Sequence, residues 1–173
     1  MKPPKLALAP PSSELALLTQ SQLDEALEYS RKSPRQRVIL PLHRSESDAL
    51  QRMFNAIQPA SYVRPHRHLH PPKAEAWIVL RGAALFVTFR DDGAIDQHVV
   101  LRAAGDPFGV DLVPGRYHTV LALAADTVVY EVKTGPYNAS DDKEFAPFAP
   151  AEGSADAAGY LARLRADCCS QNT

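Results

Sequence analysis

The apolar residues of this chain fall mainly in short runs of strand length, and this pattern most constrains what the chain can fold into. Six such runs stand out, at 37–42 (RVILPL), 76–80 (AWIVL), 84–89 (ALFVTF), 98–101 (HVVL), 119–123 (TVLAL) and 127–132 (TVVYEV). Most are rich in β-branched or aromatic residues, and turn sequences such as RDDGA at 90–94 separate them. Many short strands at close spacing predict an antiparallel sandwich or barrel.

One segment before these runs has a helical pattern instead. In SQLDEALEYSRKSP at 21–34, Leu23, Ala26 and Leu27 have helical spacing, acids fall in the expected first turn, and basic residues precede Pro34. Ser21 is the candidate N-cap of this helix. The Pro-rich stretch before it predicts an arm that wanders or lies along a surface.

The polar segment from Pro136 predicts a tail that wraps the outside and ends in a short closing segment, YLARLRAD at 160–167. We therefore expect an arm and helix over 1–35, a β-barrel over 36–135 and a wrapping tail over 136–173. At 173 residues and 45% hydrophobic content, the chain suits one globular domain.

Composition removes several classes of function. The formal charge is -1, from 19 basic and 20 acidic residues, so electrostatics give no reason to expect nucleic acid or a membrane as partner. Early prolines interrupt any run of signal-peptide length, and the adjacent Cys168 and Cys169 cannot join distant parts of the chain, so we expect a cytoplasmic protein. No glycine loop that would bind phosphates is present, which leaves nucleotide hydrolysis without support.

The stretch SYVRPHRHLHPPKAE at 61–75 contains three of the six histidines within five residues. Alternate side chains of a strand share a face, so His66 and His68 would point the same way with α-carbons about 6.6 Å apart. After a turn at the two prolines, a hairpin would return the carboxylate of Glu75 beside them. His118, which follows the glycine bend in VPGRYHTV at 113–120, is the candidate for a fourth ligand.

Such a set suits one divalent transition-metal ion, with zinc, iron, manganese, nickel or copper favoured over calcium. The register of the histidine pair stays open at this point, because His68 and His70 would leave the more usual spacing before Glu75. His70 directly precedes two prolines and is expected to lie in the turn, so we favour His66 and His68. His70 is then a spare ligand or a neighbour of the ligands.

These motifs, HxH followed by a carboxylate, then Gly82, then G-x-x-H at Gly115 to His118, resemble the two metal motifs of the cupin superfamily. More narrowly, DALQRMFNAIQPASYVRPHRH, VLRG, EVKTGPY and FAPFAPAEG are similar to the WbuC-type cupin metalloproteins, a bacterial family often associated with surface polysaccharide gene clusters. The likeness runs from about residue 33 to 153. It implies a mainly β, cupin-type antiparallel β-barrel (a jelly-roll-like double-stranded β-helix) with a short N-terminal helix, and metal ligands at His66, His68, Glu75 and His118.

Three residues are candidates for binding a small molecule, sugar-derived or anionic, at the mouth of the barrel. Arg64 shares the face of His66, where a guanidinium could bind a carboxylate or phosphate, and Lys133 and Tyr137 in EVKTGPY could reach the same place. Solvent exposure accounts for all three equally well.

Two function classes remain. The first is an enzyme, a metal-dependent isomerase, epimerase or dioxygenase, and the second is a protein that binds or senses a small ligand without turning it over. If Glu75 faces the barrel interior, then Trp77, Val79 and Arg81 share its face, while Ile78 and Leu80 lie outside. Those two outer residues need a cover, either the N-terminal helix or a second subunit, and we predict a homodimer.

Overall fold

The computed structural model describes residues 6–169, so the first five residues of the predicted arm and the last four of the tail lie outside the described residues. The chain is mainly β, with two five-stranded antiparallel sheets and one helix near each end. In chain order the elements are α1 (Gln20–Lys32), β1 (Arg37–Pro41), β2 (Leu50–Ile57), β3 (His66–Arg67), β4 (Glu75–Arg81), β5 (Ala83–Phe89), β6 (Ile95–Arg102), β7 (Gly109–Leu112), β8 (Tyr117–Ala122), β9 (Thr127–Thr134), β10 (Glu144–Phe145) and α2 (Ala157–Cys169).

The strand order is that of a jelly roll. One sheet has the order β1-β2-β9-β4-β7 and the other β10-β3-β8-β5-β6. Within them β2 pairs with β9, β3 with β8, β4 with β7 and β5 with β6, as in one long hairpin rolled onto itself. Strands β2 to β9 thus form an eight-stranded double-sheet jelly roll, and β1 and β10 each add one edge strand. This is the architecture of cupins, so the predicted fold class is confirmed.

The interior of the barrel is apolar at one end and polar at the other. Apolar side chains from both sheets, including Ile57, Val79, Phe86 and Val120, fill the first end. The polar end holds buried histidine, glutamate, lysine and asparagine side chains. Burial of such groups is costly unless they are paired, so this end is where chemistry is expected.

The two helices cover the outer faces of the sheets. Helix α1 packs through Leu23, Ala26 and Leu27 on the face that β1 and β2 present. Helix α2 packs through Leu161 and Leu164 against residues of the other sheet. No helix within residues 6–169 is long and apolar enough to cross a membrane.

Three local predictions need correction. The N-cap of α1 is Thr19 and not Ser21; Gln22 completes a capping box with Thr19, and the first turn contains no acid. The closing segment of the tail is the 13-residue helix α2.

The third correction concerns strand β4. Trp77 and Val79 are buried, and Ile78 and Leu80 are exposed, as predicted. Arg81, however, is exposed and forms an ion pair with Asp24 of α1, because a bulge after Val79 breaks the alternation.

Candidate metal centre

Three segments of the fold bring the four predicted ligand residues together. His66 of β3 lies directly opposite His118 of β8 in one sheet, and Glu75 is the first residue of β4 in the other sheet. Gly115, in the bend before β8, has a left-handed backbone (φ 81°), and its N–H donates to the carbonyl of His68 at 3.1 Å. This bond ties the loop that precedes His118 to the His66–His68 segment.

The candidate ligand atoms form a compact buried group. Each of the four residues offers one atom that could bind a metal, and these four atoms lie within 4.8 Å of one another. The residues are His66, His68, Glu75 and His118. Oε1 of Glu75 is 2.9 Å from Nε2 of both His68 and His118. All four residues are 2–4% exposed.

Backbone carbonyls fix the tautomer of each imidazole. Nδ1 of His66 is 2.9 Å from the carbonyl oxygen of Arg64, Nδ1 of His118 is 2.9 Å from that of Arg116, and Nδ1 of His68 contacts that of Asp142. A carbonyl oxygen can only accept, so each Nδ1 must donate its hydrogen. Each neutral ring is then left with a lone pair on Nε2, the arrangement found in histidines that bind metals.

The group therefore contains acceptors that face one another with no donor between them. Nε2 of His68, Nε2 of His118 and Oε1 of Glu75 are buried and have no hydrogen-bond partner among the described residues. Buried polar atoms are nearly always satisfied, and lone pairs 2.9 Å apart repel unless a cation lies between them. The residues present thus fit one metal ion.

Neighbouring aromatic residues hold the ligands in place. The indole Nε1 of Trp77 donates to Oε2 of Glu75 at 3.1 Å, which leaves Oε1 to face the histidines. The ring of Phe86 stacks on His118 with centroids 5.8 Å apart and an interplanar angle of 9°. Both contacts restrict rotation of a candidate ligand before any ion binds.

Electrostatics favour the protonation states that ligation requires. Burial, aided by the charge of Lys143 and by His118, holds the pKa of His66 well below its usual range, so its ring is neutral at neutral pH. Burial opposes ionisation of Glu75, but the pKa of its carboxyl lies well below the ordinary value because His118 and His68, when they carry a proton, offer it positive charge and a hydrogen bond; a bound cation would act in the same sense. Glu75 is therefore a carboxylate.

The fourth histidine of the region lies apart from this group. His70 is exposed in the turn after β3 and does not belong to the cluster. The register that the structure assembles is thus His66 with His68. The longer gap before Glu75 is accommodated by the loop at 69–74.

Asp142 of the C-terminal segment completes the surroundings of His68. Its carboxylate accepts from Nζ of Lys73 and from Nζ of Lys133, each at 2.8 Å, and its carbonyl accepts from His68. Asp142 is 2% exposed. The segment after Pro136 therefore does not simply wrap the outside, because it supplies a buried carboxylate beside the cluster.

The three residues predicted to bind a small molecule have different environments. Lys133 is 4% exposed and paired with Asp142, so it is not at the mouth of the barrel. Tyr137 is 37% exposed, and its ring centroid is 5.9 Å from Nζ of Lys133. Arg64 donates to the carbonyl of Ala146 at 3.0 Å and lies over the ring of Phe145.

Sequence reasoning missed two polar residues on the inner face of the barrel. Glu131 of β9 is 6% exposed and accepts from Nδ2 of Asn55 at 2.9 Å. Burial, and next the charge of Glu75, raise the pKa of Glu131. The signal was present in EVK at 131–133, because alternation along a strand that turns Lys133 inward also turns Glu131 inward.

A small cavity lies between the edge strands β6 and β7 of the two sheets. It has a volume of about 130 Å³ and is lined by Phe86, Thr88, Gln97, His98, Val99, Val110, Asp111 and Leu112. Leu112 lies opposite Glu75, and Thr88 lies opposite His118. The cavity therefore lies beside strand neighbours of Glu75 and His118, while none of the four candidate ligand residues lines it.

Comparison with known proteins gives a match to one family and likeness to several solved structures. Residues 18–101 match a family described as a domain of unknown function (DUF6016). No curated protein matches the chain. The narrower likeness to WbuC-type proteins stays a prediction.

Three similar solved structures match at low identity and with TM-scores below 0.5. Oxalate decarboxylase from Bacillus subtilis at pH 4.6 is 15% identical with a TM-score of 0.46, covering 57% of this chain and 24% of that one. CapF, the capsular polysaccharide assembling protein of Staphylococcus aureus, is 22% identical with a TM-score of 0.45, covering 57% and 27%. CapF with the inhibitor 3-isopropenyl-tropolone is 20% identical with a TM-score of 0.47, covering 63% and 30%.

This chain thus spans less than a third of the length of each of these proteins. Because the TM-scores are below 0.5, the fold assignment depends on the strand order described above. The chain has a cupin-type double-sheet jelly-roll fold, with a buried cluster of three histidines and one glutamate that is suited to one metal ion.

Proposed function

We propose that this protein binds one divalent transition-metal ion through His66, His68, Glu75 and His118 and acts with it on a small molecule. The observation that carries the proposal is the set of buried acceptor atoms on His68, His118 and Glu75 that face one another without a donor. Three neutral imidazoles and a carboxylate suit zinc, iron, manganese or nickel. When bound, such an ion supplies a Lewis acid that polarises a substrate oxygen or activates water or dioxygen.

The burial of the cluster limits what can reach it, because each of its four residues is only 2–4% exposed. The cavity between β6 and β7 has a volume of about 130 Å³, well below the roughly 300–1,000 Å³ of pockets that enclose drug-sized ligands. A compact molecule, or one functional group of a larger sugar-derived molecule, is therefore the expected ligand. The likeness to WbuC-type cupins supports surface polysaccharide metabolism as the setting.

Glu131 favours turnover over simple retention of a ligand. It is a buried acid on the inner face, and burial, followed by the charge of Glu75, raises its pKa, so it keeps a proton at higher pH than an exposed glutamate does. A buried acid with a perturbed pKa close to a candidate metal centre is a candidate for proton transfer. Isomerisation and epimerisation require proton transfer at the substrate, and we therefore prefer them to dioxygenation.

Metal analysis of single-histidine variants tests the proposal. We expect about one ion per chain in protein purified without a metal-affinity tag, and loss of it in His66→Ala, His68→Ala and His118→Ala. His70→Ala is the matched control, because His70 is a neighbour in sequence but lies outside the cluster. Folded wild-type protein that contains no metal, and takes up none on reconstitution, would refute the proposal.

A further inference from the structure

Lys143 lies beside the candidate metal centre without an anionic partner. The strand pairing places Phe145 opposite His66 and Glu144 opposite Arg67. Lys143 is the residue directly before β10 and two residues before Phe145, whose ring centroid is 6.3 Å from that of His66. The preceding residue, Asp142, is bonded through its carbonyl to His68, so the backbone at this point is held against the centre.

The electrostatic environment of Lys143 agrees with this placement. Its charge helps to lower the pKa of His66. Burial first, and then the charge of Lys133, lower the pKa of Lys143 itself, while the carboxylates Glu131, Glu75 and Asp142 act to raise it. All of these residues face the polar end of the barrel. The residue as a whole is exposed, whereas burial acts on its ammonium group, so the side chain runs from the surface toward the polar end of the barrel.

The other two lysines near the centre are already neutralised. Nζ of Lys73 and Nζ of Lys133 each bind a carboxylate oxygen of Asp142 at 2.8 Å. Within residues 6–169, no carboxylate lies within 4.0 Å of Nζ of Lys143. Lys143 therefore has an ammonium group to offer to a ligand.

Charge balance indicates the sign of that ligand. Around the cluster, the charges of three carboxylates are balanced by those of three ammonium groups. The carboxylates are Glu75, Glu131 and Asp142, and the ammonium groups are Lys73, Lys133 and Lys143. A divalent ion would add two positive charges to this neutral set, and protonation of Glu131 would add one more. Uncompensated charge in a buried site is costly, so the loaded centre favours an anion.

We propose that Lys143 is an anion-recognition residue that binds the negatively charged group, a carboxylate or a similar small oxyanion, of the molecule that reaches the metal. This proposal rests on the proposed function, because the excess positive charge comes from the ion. It assigns to Lys143 the role that sequence reasoning predicted for Lys133. An ammonium at the end of a flexible side chain suits a small anion of variable geometry.

Acetate and acetamide are a suitable pair of probes, because they have the same shape and differ in charge. Protein loaded with Co²⁺ is titrated with each, and the visible absorption of the cobalt site is followed in the wild type, Lys143→Met and Lys143→Arg. We expect the Kd for acetate to be about tenfold or more weaker in Lys143→Met, while Lys143→Arg stays close to the wild type. Acetamide binding, which involves no charge, should be the same in all three proteins.

The outcomes separate this proposal from the one on which it rests. Full cobalt loading with the same acetate affinity in the wild type and Lys143→Met overturns the role of Lys143 and leaves the metal site intact. No acetate binding to loaded wild-type protein also overturns it. Failure of the wild type to load cobalt overturns both proposals. Thermal unfolding and cobalt content verify that each variant is folded and loaded, and Lys143→Gln replaces Lys143→Met if the latter does not fold.

Discussion

At the scale of single residues, Asp142 connects the metal centre to the segment that covers it. Its carboxylate is shared by Lys73 and Lys133, and all three side chains are 1–5% exposed. Burial by itself would raise the pKa of Asp142, but Lys133 and Lys73 hold the pKa of this carboxyl below its ordinary value. Burying an ammonium group costs desolvation free energy, and an ion-pair partner offsets that cost. If the partner is removed, the cost remains and the fold is destabilised.

We predict that Asp142→Asn lowers the free energy of unfolding by about 3–5 kcal/mol, because two buried ammonium groups lose their anion. Urea unfolding in the presence of a chelator measures this without a contribution from bound metal. Asp141→Asn is the matched control, since Asp141 is exposed and its carboxylate accepts from the side chain of Asn138, with no lysine bound to it within residues 6–169. Equal losses in the two variants would show that the buried pairing does not stabilise the fold.

The ligand residues could be predicted from the sequence, whereas their surroundings could not. His66, His68 and Glu75 lie close together in the chain, and strand alternation is enough to aim them. Asp142 and Lys143 lie in DDKEF, where nothing in the sequence shows which acid turns inward. That choice depends on the pairing of β10 with β3, a contact between distant parts of the chain.

At the scale of elements, ion pairs of Glu152 connect the segment before α2 to the start of β1. Its carboxylate accepts from Arg35 at 2.8 Å and from Arg37 at 2.7 Å, and Arg37 is largely buried. Burial acts to raise the pKa of Glu152, but Arg37 and Arg35 hold it below its ordinary value. The ionised form of Glu152 is therefore the one that stabilises the fold.

We predict that Glu152→Gln destabilises the protein by about 1 kcal/mol at neutral pH, a figure reduced for the solvent that screens this pair. Because the pKa is lower in the folded state, the stabilisation is present above the unfolded pKa of about 4.3 and is lost as pH falls through the folded value. Urea unfolding at pH 7 and near pH 3.5 should show the difference from the wild type shrinking in acid. Glu28→Gln, which removes a pair exposed on α1, should have a smaller effect at pH 7. A difference that grew in acid would contradict the assignment.

Two missed elements show where pattern reasoning fails. Strand β2 has the polar residues Gln51 and Asn55 buried, so the apolar alternation that would mark a strand is absent. Asn55 donates to Glu131 at the polar end of the barrel, whereas Ile57 of the same strand packs in the apolar end. Helix α2, in contrast, has its buried residues Ala157, Leu161, Leu164 and Cys168 at helical spacing, a signal that the sequence did contain.

At the scale of the whole molecule, the jelly roll places one polar centre at the end of an otherwise apolar barrel. The number and spacing of strands predict a β sandwich or barrel, and the resemblance of the two histidine motifs narrows it to the cupin type. The covering of the centre by the segment from Pro136 was not predictable, because it depends on ion pairs and not on periodicity. The homodimer stays a prediction, with Ile78 and Leu80 exposed on the outer face at 36% and 42%.

X-ray absorption at the edge of the bound metal is the most direct test of the central claim, that the cluster of three histidines and Glu75 holds an ion. For protein purified without a metal-affinity tag, we predict nitrogen and oxygen neighbours at about 2.0–2.2 Å and the multiple scattering of three imidazole rings. A sulfur shell at about 2.3 Å would instead place the ion on Cys168 and Cys169 and contradict the account.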